Sequence, residues 1–419
     1  MPHGQLYITL AIIFSFIMAW GVGANDVANA MGTSVGSKAL TIKQAIIIAA
    51  IFETLGALFA GSTVTNTIRG KIIVMHFASS TPELMIFGML ASLLAAGTWL
   101  ILASYFGWPV STTHSIIGAV IGFGLIVFGP QAINWAQVIN IVMSWILTPI
   151  IAGILAFFLF RSVQYFIFNS PQPLESAKIC VPIYVFITVL ILSLVTFLIG
   201  LKPVGLHLTD NADVFVSFLL SAATGLLSFF WIRKKSITIT SHQDWRENFK
   251  ALEKLFAILM VFTACAMAFA HGSNDVANAI GPLAAVIAIA KNNGDIHASA
   301  DLPFWVLCLG AAGIVLGLTM YGHKVITTIG SEITQLTPSR GFAAQLATAS
   351  TVVISSGLGL PISTTQTLVG AVLGVGFARG MGALNLSVIR NIFMSWIITL
   401  PAGAIFAIIY YHTLKVILE

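Results

Sequence analysis

Mostly apolar runs of about 20 residues recur along the whole sequence, and each is long enough to cross a hydrocarbon core of about 30 Å as a helix. Only 8% of the 419 residues are charged and 58% are hydrophobic. A soluble domain carries roughly 25% charged residues, so this chain has too little polar surface to face water on all sides. The sequence therefore predicts an all-α polytopic membrane protein. It excludes a large soluble helical protein, which would need charged helix faces.

The hydropathy pattern predicts about twelve membrane segments. They lie near residues 6–23, 42–61, 84–106, 112–129, 137–160, 182–201, 212–231, 255–271, 303–320, 343–358, 361–377 and 391–411. The long charged stretch 231–254 is predicted to be a cytoplasmic loop. Fourteen of the 19 Lys and Arg residues fall on the cytoplasmic side if both termini lie outside, and the positive-inside rule favours that orientation. Because the basic residues sort by membrane side, no nucleic-acid partner is expected.

Three polar motifs occur twice, in the same order and 249 to 252 residues apart. They are GANDVANAMG (23–32) with GSNDVANAIG (272–281), GWPVSTTHSIIGAVIGFG (107–124) with GLPISTTQTLVGAVLGVG (359–376), and MSWILTP (143–149) with MSWIITLP (394–401). The number of membrane crossings between the start of one copy and the start of the next is odd. It stays odd if segments 84–106 and 112–129 form a re-entrant hairpin. The copies would then enter the membrane from opposite faces, an architecture typical of secondary transporters. We predict a first inverted repeat over 1–165, connecting spans and the charged loop over 166–254, and a second repeat over 255–419.

The repeated decapeptide contains two acids at membrane depth, Asp26 and Asp275. Such an acid costs about 2.5–3.5 kcal/mol on insertion scales, which makes it a functional candidate. The preceding glycines let the backbone unwind or approach another element closely, and carbonyl, Asp and Asn oxygens are ligands that suit Na⁺. Asn29 and Asn278 follow at helical spacing and can share a face with the acids. A purely structural helix break is the alternative.

Each P-[VI]-S-T-T stretch predicts a new helix N-terminus after a break at Pro109 or Pro361. The hydroxyl residues concerned are Ser111, Thr112, Thr113, Ser363, Thr364 and Thr365. Ser and Thr cap helix N-termini, whose free N–H groups and positive dipole end attract anions. Two such termini from opposed repeats could hold a tetrahedral oxyanion between them. Capping without anion binding is the alternative.

The motif pairs contain no Lys or Arg to balance a bound anion. An oxyanion beside two aspartates in a low-dielectric site would carry uncompensated negative charge, so cations must enter with it. Coupled symport with Na⁺ or protons follows from this charge count. The duplication makes an enzyme or a receptor less fitting, and a passive anion channel stays open as an alternative. Three scattered cysteines indicate neither a disulfide framework nor a metal site, and no cofactor is expected.

Four further residues in the apolar regions have side chains that could act at the same site. Glu53 is a third intramembrane acid, and a role as coupling-ion ligand or proton carrier is favoured over a structural one. His114 and Gln366 follow the two STT triplets, either as direct substrate contacts or as supports behind them. His271 has Val22 as its counterpart, and the sequence leaves it open between packing and an asymmetric proton site.

On these motifs the sequence resembles the inorganic phosphate transporter (PiT) family over nearly its whole length. GTSVGSKALT (32–41) and AIFETLG (50–56) add to the paired G-[AS]-N-D-V-A-N-A and P-[VI]-S-T-T-[HQ] motifs. The resemblance implies phosphate symport with Na⁺ or H⁺ by alternating access, from two inverted repeats with re-entrant helical hairpins. The short central loop is similar to that of bacterial members, so the expected location is the plasma (inner) membrane. A homodimer is a weaker expectation from the family, and some relatives carry sulfate.

The resemblance also implies residue roles. Phosphate is expected on the two Ser-Thr-Thr triplets with Asn25 and Asn274, and the cation on Asp26, Asn29, Asp275, Asn278 and Glu53, with Na⁺ at the two aspartates. The chain departs from the family at Gln345, in GFAAQLA, where many members have an acid in G-F-x-x-E-L-A. This difference puts proton handling and coupling stoichiometry in question. A sulfate or other tetrahedral-anion permease of the same fold remains the near alternative.

Overall fold

The computed structural model describes residues 3–74, 81–106, 108, 110–200, 209–234, 245–292, 302–332, 336–380 and 386–418. These residues form thirteen α-helices and no extended strand. The helices are α1 (Gly4–Gly36), α2 (Ile42–Ala60), α3 (Ser62–Gly70), α4 (Pro82–Phe106), α5 (Thr112–Phe128), α6 (Trp135–Val163), α7 (Pro173–Val195), α8 (Asp210–Lys234), α9 (Trp245–Lys291), α10 (Phe304–Glu332), α11 (Pro338–Gly357), α12 (Thr364–Arg379) and α13 (Leu386–Leu418). The all-α prediction is confirmed.

Nine helices in the described part of the chain are long and apolar enough to cross a membrane: α1, α2, α4, α6 to α10 and α13. The sequence predicted about twelve segments. Three of those segments form helices that differ from the rest. Helix α5 has 17 residues and α12 has 16, while α11 has 20 residues but many hydroxyl and amide side chains. Helix α3 was missed because its nine residues are amphipathic and too short for a hydropathy window.

Helices α1 and α9 run without a break through the two decapeptides, which the hydropathy pattern had placed just beyond the ends of apolar segments. Of the two roles that the sequence left open for the glycines, unwinding of the backbone is therefore excluded, and the alternative of a structural helix break is excluded with it. The glycines serve close approach instead: a Cβ on Gly23 would lie 1.9 Å from the carbonyl oxygen of Ile314, and one on Gly272 would lie 2.1 Å from that of Glu53. Glycine is needed here for backbone contact between helices.

The charged stretch 231–254 is shorter as a connection than the sequence indicated. Residues 231–234 belong to α8 and 245–254 to α9, and residues 235–244 lie outside the described part. Helices α7 and α8 pack on each other, and α7 also contacts α9. This pair connects the two duplicated regions.

The duplicated regions exchange partners with each other. Helix α1 packs on α10 and α2 on α9, while α5 packs on α13 and α6 on α12. Glycines allow close backbone contact at equivalent positions: Gly118 faces the backbone of Leu400, and Gly370 faces that of Pro149. Each predicted repeat therefore buries its apolar faces against the other, and each of the two larger hydrophobic clusters contains residues from both.

Candidate functional site

The predicted site residues come together where α1 and α9 meet the N-termini of α5 and α12. Every one of them is buried, with at most 5% of its surface exposed. They are Asn25, Asp26, Asn29, Glu53, Ser111, Thr112, Thr113, His114, Asn274, Asp275, Asn278, Gln345, Ser363, Thr364, Thr365 and Gln366. Burial of so many polar groups requires that they satisfy one another or a ligand.

Both predicted helix N-termini are confirmed. The Ser111 hydroxyl accepts a hydrogen bond from the His114 N–H (3.2 Å) at the start of α5. The Ser363 hydroxyl accepts one from the Gln366 N–H (3.3 Å) at the start of α12. Pro109, the predicted break before α5, lies outside the described residues. Gly359, just after α11, has φ +71°, a value that favours glycine, and it turns the chain toward Pro361.

The first asparagine of each decapeptide holds the connection between two hairpin helices. In both copies its amide donates to a serine hydroxyl and to a backbone carbonyl. The bonds are Asn25 Nδ2 to Ser104 Oγ (3.2 Å) and Trp108 O (3.1 Å), and Asn274 Nδ2 to Ser356 Oγ (3.0 Å) and Leu360 O (3.1 Å). The resemblance assigned these asparagines to phosphate. In this structure their amide donors position the hairpins α4–α5 and α11–α12.

The second asparagine of each decapeptide reaches the hydroxyl triplet of the other duplicated region. Asn29 Nδ2 donates to Thr365 Oγ1 (2.7 Å). Asn278 Nδ2 donates to Thr112 Oγ1 (3.1 Å) and Thr113 Oγ1 (3.2 Å). The two half-sites therefore interlock at the centre of the molecule.

The threonine hydroxyls also connect the two triplets directly. Thr113 Oγ1 donates to the Ile362 carbonyl (2.8 Å), and Thr365 Oγ1 donates to the Val110 carbonyl (3.4 Å). These bonds bring the N-termini of α5 and α12 together. Their positive dipole ends and hydroxyl groups then face a shared region that suits an anion.

Three carboxyl groups and one imidazole form the charged centre. Ligand atoms of Asp26, His271 and Asp275 all lie within 4.8 Å of one another. His271 Nε2 is 2.9 Å from Asp275 Oδ2 in an ion-pair contact, and His271 Nδ1 is 3.0 Å from Glu53 Oε1. Thr364 Oγ1 donates to Asp275 Oδ2 (2.8 Å). The two aspartates, 249 residues apart in sequence, thus share one site.

His271 is the residue that sequence reasoning left unassigned. Its position four residues before Asp275 on α9 was a usable signal, because residues at i and i+4 lie on one helix face. Its contact with Glu53 has no local signal, since the two residues are 218 positions apart. The charges that act on Asp26 are those of Asp275, His271 and Glu53, and no Lys or Arg in the described ranges contributes.

Several buried oxygens at the centre have no hydrogen-bond donor among the residues that the structure describes. They are Asp26 Oδ2, Asn29 Oδ1, Glu53 Oε2, Asn274 Oδ1, Asp275 Oδ1 and Asn278 Oδ1. Orphaned acceptors are costly in a protein interior. Carboxylate and amide oxygens are also the ligands that hard cations prefer. The donor set therefore fits Na⁺ at Asp26 and Asp275.

Gln345, at the departure from the family, is a well-bonded structural group. Its amide nitrogen donates to the Ala30 carbonyl (2.8 Å) and to Ser34 Oγ (2.9 Å), and its oxygen accepts from Thr263 Oγ1 (2.9 Å). It thereby joins α1, α9 and α11 below the charged centre. A carboxylate could not donate to Ala30, which gives the amide a physical reason.

A cavity of about 580 Å³ with a mostly apolar lining lies beside the second hairpin, between α3, α6 and α11. Lys71 and Thr67 line one side and Ser144 and Thr148 another, and the cavity reaches Leu360, whose carbonyl binds Asn274. The Lys71 ammonium is the charged group in this lining, and its positive charge attracts anions.

The fold and the site together define a polytopic membrane transport protein with a buried centre made from duplicated motifs. The model of the phosphate transporter family matches residues 22–407, and the chain belongs to this family. It is 54% identical over 415 residues to a protein of Haemophilus influenzae named "Putative phosphate permease", covering 99% of this chain and 98% of that one. It is 43% identical to "Inorganic phosphate transporter 2-1, chloroplastic" of Arabidopsis thaliana, covering 96% and 71%. A solved structure, "The sodium-dependent phosphate transporter", matches with a TM-score of 0.91 and 38% identity, covering 98% of this chain and 100% of that chain.

Proposed function

We propose that the chain is a Na⁺-coupled symporter that moves inorganic phosphate across the plasma membrane by alternating access. The observation that carries the proposal is the charged centre, where three buried carboxyl groups meet one imidazole beside two helix N-termini. Phosphate in such a place adds negative charge that His271 alone cannot balance. Cations must accompany it, because unpaired charge in a low-dielectric interior is strongly unfavourable.

The proposed roles follow from whether each polar atom already has a hydrogen-bond partner in the described part of the structure. The orphaned oxygens of Asp26, Asp275 and their neighbouring asparagines hold Na⁺. The hydroxyls of the two Ser-Thr-Thr triplets and the helix N-termini behind them hold phosphate. Thr113 and Thr365 now donate to backbone carbonyls of the opposite hairpin, so they must exchange these partners for phosphate oxygens. Glu53 keeps His271 oriented toward Asp275.

Alternating access is supported by contacts that occur in equivalent pairs. Asn25 and Asn274 make the same two bonds, and Asn29 and Asn278 both cross to the opposite threonines. This pairing agrees with inverted repeats over 1–165 and 255–419, joined by 166–254, and with the two hairpins entering from opposite faces. Both termini are proposed to lie outside, with 231–254 in the cytoplasm. A homodimer stays a prediction.

The experiment that tests the proposal is labelled-phosphate uptake by the full chain in proteoliposomes, at fixed pH, with and without an inward Na⁺ gradient. Accumulation above the outside concentration only with Na⁺, and little affected by excess sulfate, is the expected result. Accumulation with a pH gradient alone would replace Na⁺ by protons, and simple equilibration would indicate a channel. Equal inhibition by sulfate would indicate a general tetrahedral-anion permease.

A matched pair of variants links this activity to the site. Thr364→Val removes the hydroxyl that donates to Asp275, and we expect uptake to fall by about tenfold, because hydrogen bonds to charged groups contribute about 1.5–3 kcal/mol. Thr188→Val removes an equally buried hydroxyl that bonds only to its own helix in α7. Equal uptake by the two variants would exclude the Thr364 hydroxyl from the site.

A further inference from the structure

An apolar cavity of about 860 Å³ opens between α6, α12 and α13, away from the charged centre. Its walls are mostly hydrocarbon: Ile146, Ile150, Ile154, Phe157, Phe158 and Ile397. Helices α6 and α13 are long and apolar enough to span a membrane, and all of these side chains except the partly buried Phe157 are among their exposed apolar residues. The volume falls in the range of about 300–1,000 Å³ that small-molecule sites occupy.

The base of this cavity is polar, which an ordinary lipid-facing groove does not need. His114 and Gln366 line it, and each is 5% exposed. Both ring nitrogens of His114 and the Oε1 atom of Gln366 lack an aligned hydrogen bond within the described ranges. The imidazole lies near the Gln366 side chain and the Trp396 backbone, and its ring centroid is 3.9 Å from that of Trp145. A donor, an acceptor and aromatic surface thus stand at the end of a hydrocarbon slot.

The geometry points to a binding site for one long-chain amphiphile, with its hydroxyl or carboxyl head on His114 and Gln366 and its chain along α6 and α13. A head group that both donates and accepts would satisfy the imidazole and the amide oxygen together. Bare hydrocarbon would leave these buried atoms with only each other and the Trp396 backbone as poorly aligned partners. The lipid bilayer is the source of the amphiphile, because the walls of the cavity belong to membrane-spanning helices.

A second copy of the chain fits this cavity less well. The slot is concave and ends at buried polar atoms inside the molecule, while the exposed faces of the spanning helices are apolar side chains. Such a face could cover the rim but would bring mostly apolar side chains to the base. A flexible amphiphile with one polar end matches both the apolar walls and the polar base of the cavity.

The site touches the proposed transport machinery through the main chain. The N–H groups of His114 and Gln366 are the ones that Ser111 and Ser363 cap. An amphiphile on these side chains therefore contacts the residue that follows each Ser-Thr-Thr triplet. The binding inference itself does not depend on the proposed function, since it rests on the cavity and on its buried polar base.

The test is equilibrium binding of radiolabelled oleyl alcohol and oleic acid to the purified full chain in phosphatidylcholine nanodiscs. We expect saturable binding at one amphiphile per chain. Which of the two binds more tightly distinguishes a hydroxyl head from a carboxyl head. A labelled alkane of similar length is the control for hydrophobic partition, and equal saturable binding of that alkane would overturn the role of the polar base.

Variants locate the bound amphiphile. Ile150→Phe fills the slot and should weaken binding by about tenfold or more, a difference of 1.4 kcal/mol. Ile139→Phe, an equally exposed change on α6 that does not line the cavity, should bind as the unmodified chain does. His114→Leu should also weaken binding, and the Ile150/Ile139 pair keeps the test decisive if that variant does not fold. Equal binding by Ile150→Phe and Ile139→Phe would contradict the site.

A second measurement addresses the competing occupant. Light scattering of the chromatographed protein reports its oligomeric state with and without oleyl alcohol. If Ile150→Phe dissociates a dimer while no amphiphile binds saturably, the groove is an interface between two copies and the proposal is wrong. If the oligomeric state is unchanged while amphiphile binding is lost, the cavity belongs to the amphiphile.

Discussion

The two aspartates of the duplicated decapeptide occupy equivalent positions but have different partners. Asp26 accepts from Asn29 (3.1 Å) on its own helix. Asp275 accepts from Thr364 (2.8 Å) and lies 2.9 Å from His271. The second aspartate is therefore in direct contact with the His271 imidazole, while the first has a ligand atom within 4.8 Å of that imidazole but no direct contact with it.

Two substitutions between the copies create this difference. His271 stands where the first copy has Val22. Gly272 in the second copy approaches the backbone of Glu53, and Gly23 in the first copy approaches the backbone of Ile314. Glu53 therefore occupies the place beside the second glycine that Ile314 occupies beside the first. The two copies share the same backbone contacts and the same asparagine hydrogen bonds. They differ in the ionisable side chains beside each aspartate. We infer that Asp26 depends more on an incoming Na⁺ than Asp275 does.

The largest expected effect is the loss of transport in Asp26→Asn. This change removes a buried carboxylate that no cationic side chain contacts directly, and we expect Na⁺-driven phosphate uptake to fall by about 100-fold or more. Asp213→Asn is the control, because Asp213 is equally buried but lies in α8 outside the site. Uptake by Asp26→Asn within a few-fold of that of the control would contradict a cation role for Asp26.

The next largest expected effect is a difference in thermal stability between the Asp275 and Asp26 variants. Asp275→Asn removes one of the two carboxylates in direct contact with His271, and breaking a buried pair costs about 3–5 kcal/mol. We therefore expect a larger drop in melting temperature for Asp275→Asn than for Asp26→Asn, measured in detergent without Na⁺. Equal melting temperatures would mean that the asymmetry of charge has no energetic weight.

Substitution of alanine for the decapeptide glycines tests the close backbone contacts that both copies share. A Cβ at Gly23 or Gly272 would meet a backbone oxygen of the facing helix, and overpacking costs typically about 1–3 kcal/mol. Both variants should lose folded yield and melting temperature to a similar degree. Gly97→Ala is the matched control, because its Cβ would find its nearest atom at 3.6 Å. A loss in one glycine variant alone would break the equivalence of the two halves.

The smallest effect concerns the departure at Gln345. In Gln345→Glu the side chain must stay protonated to donate to the Ala30 carbonyl, as the amide does at 2.8 Å. Uptake should then be near that of the unmodified chain at low pH and should fall a few-fold as pH rises and the acid ionises. The pH profile at a constant Na⁺ gradient measures this. Gln44→Glu, exposed at the start of α2, should leave the profile unchanged.

Local features of the site were predictable from the sequence. The caps at Ser111 and Ser363 follow from a proline and a hydroxyl residue before an apolar run, because capping involves residues three positions apart. The meeting of Asp26 with Asp275 could be expected from the duplication. The continuous path of α1 and α9 could not, since glycine is compatible both with unwinding and with close contact. The neighbouring helix decides between these outcomes.

The sequence by itself determined the all-α membrane class, the duplicated motifs and the set of buried polar residues, because hydropathy and capping act over short stretches of chain. Only the tertiary structure decided which of these residues are partners. His271 meets Glu53 across 218 residues, and Asn29 meets Thr365 across 336. Such pairs depend on how the helices pack, and packing follows from contacts among side chains that no single segment contains.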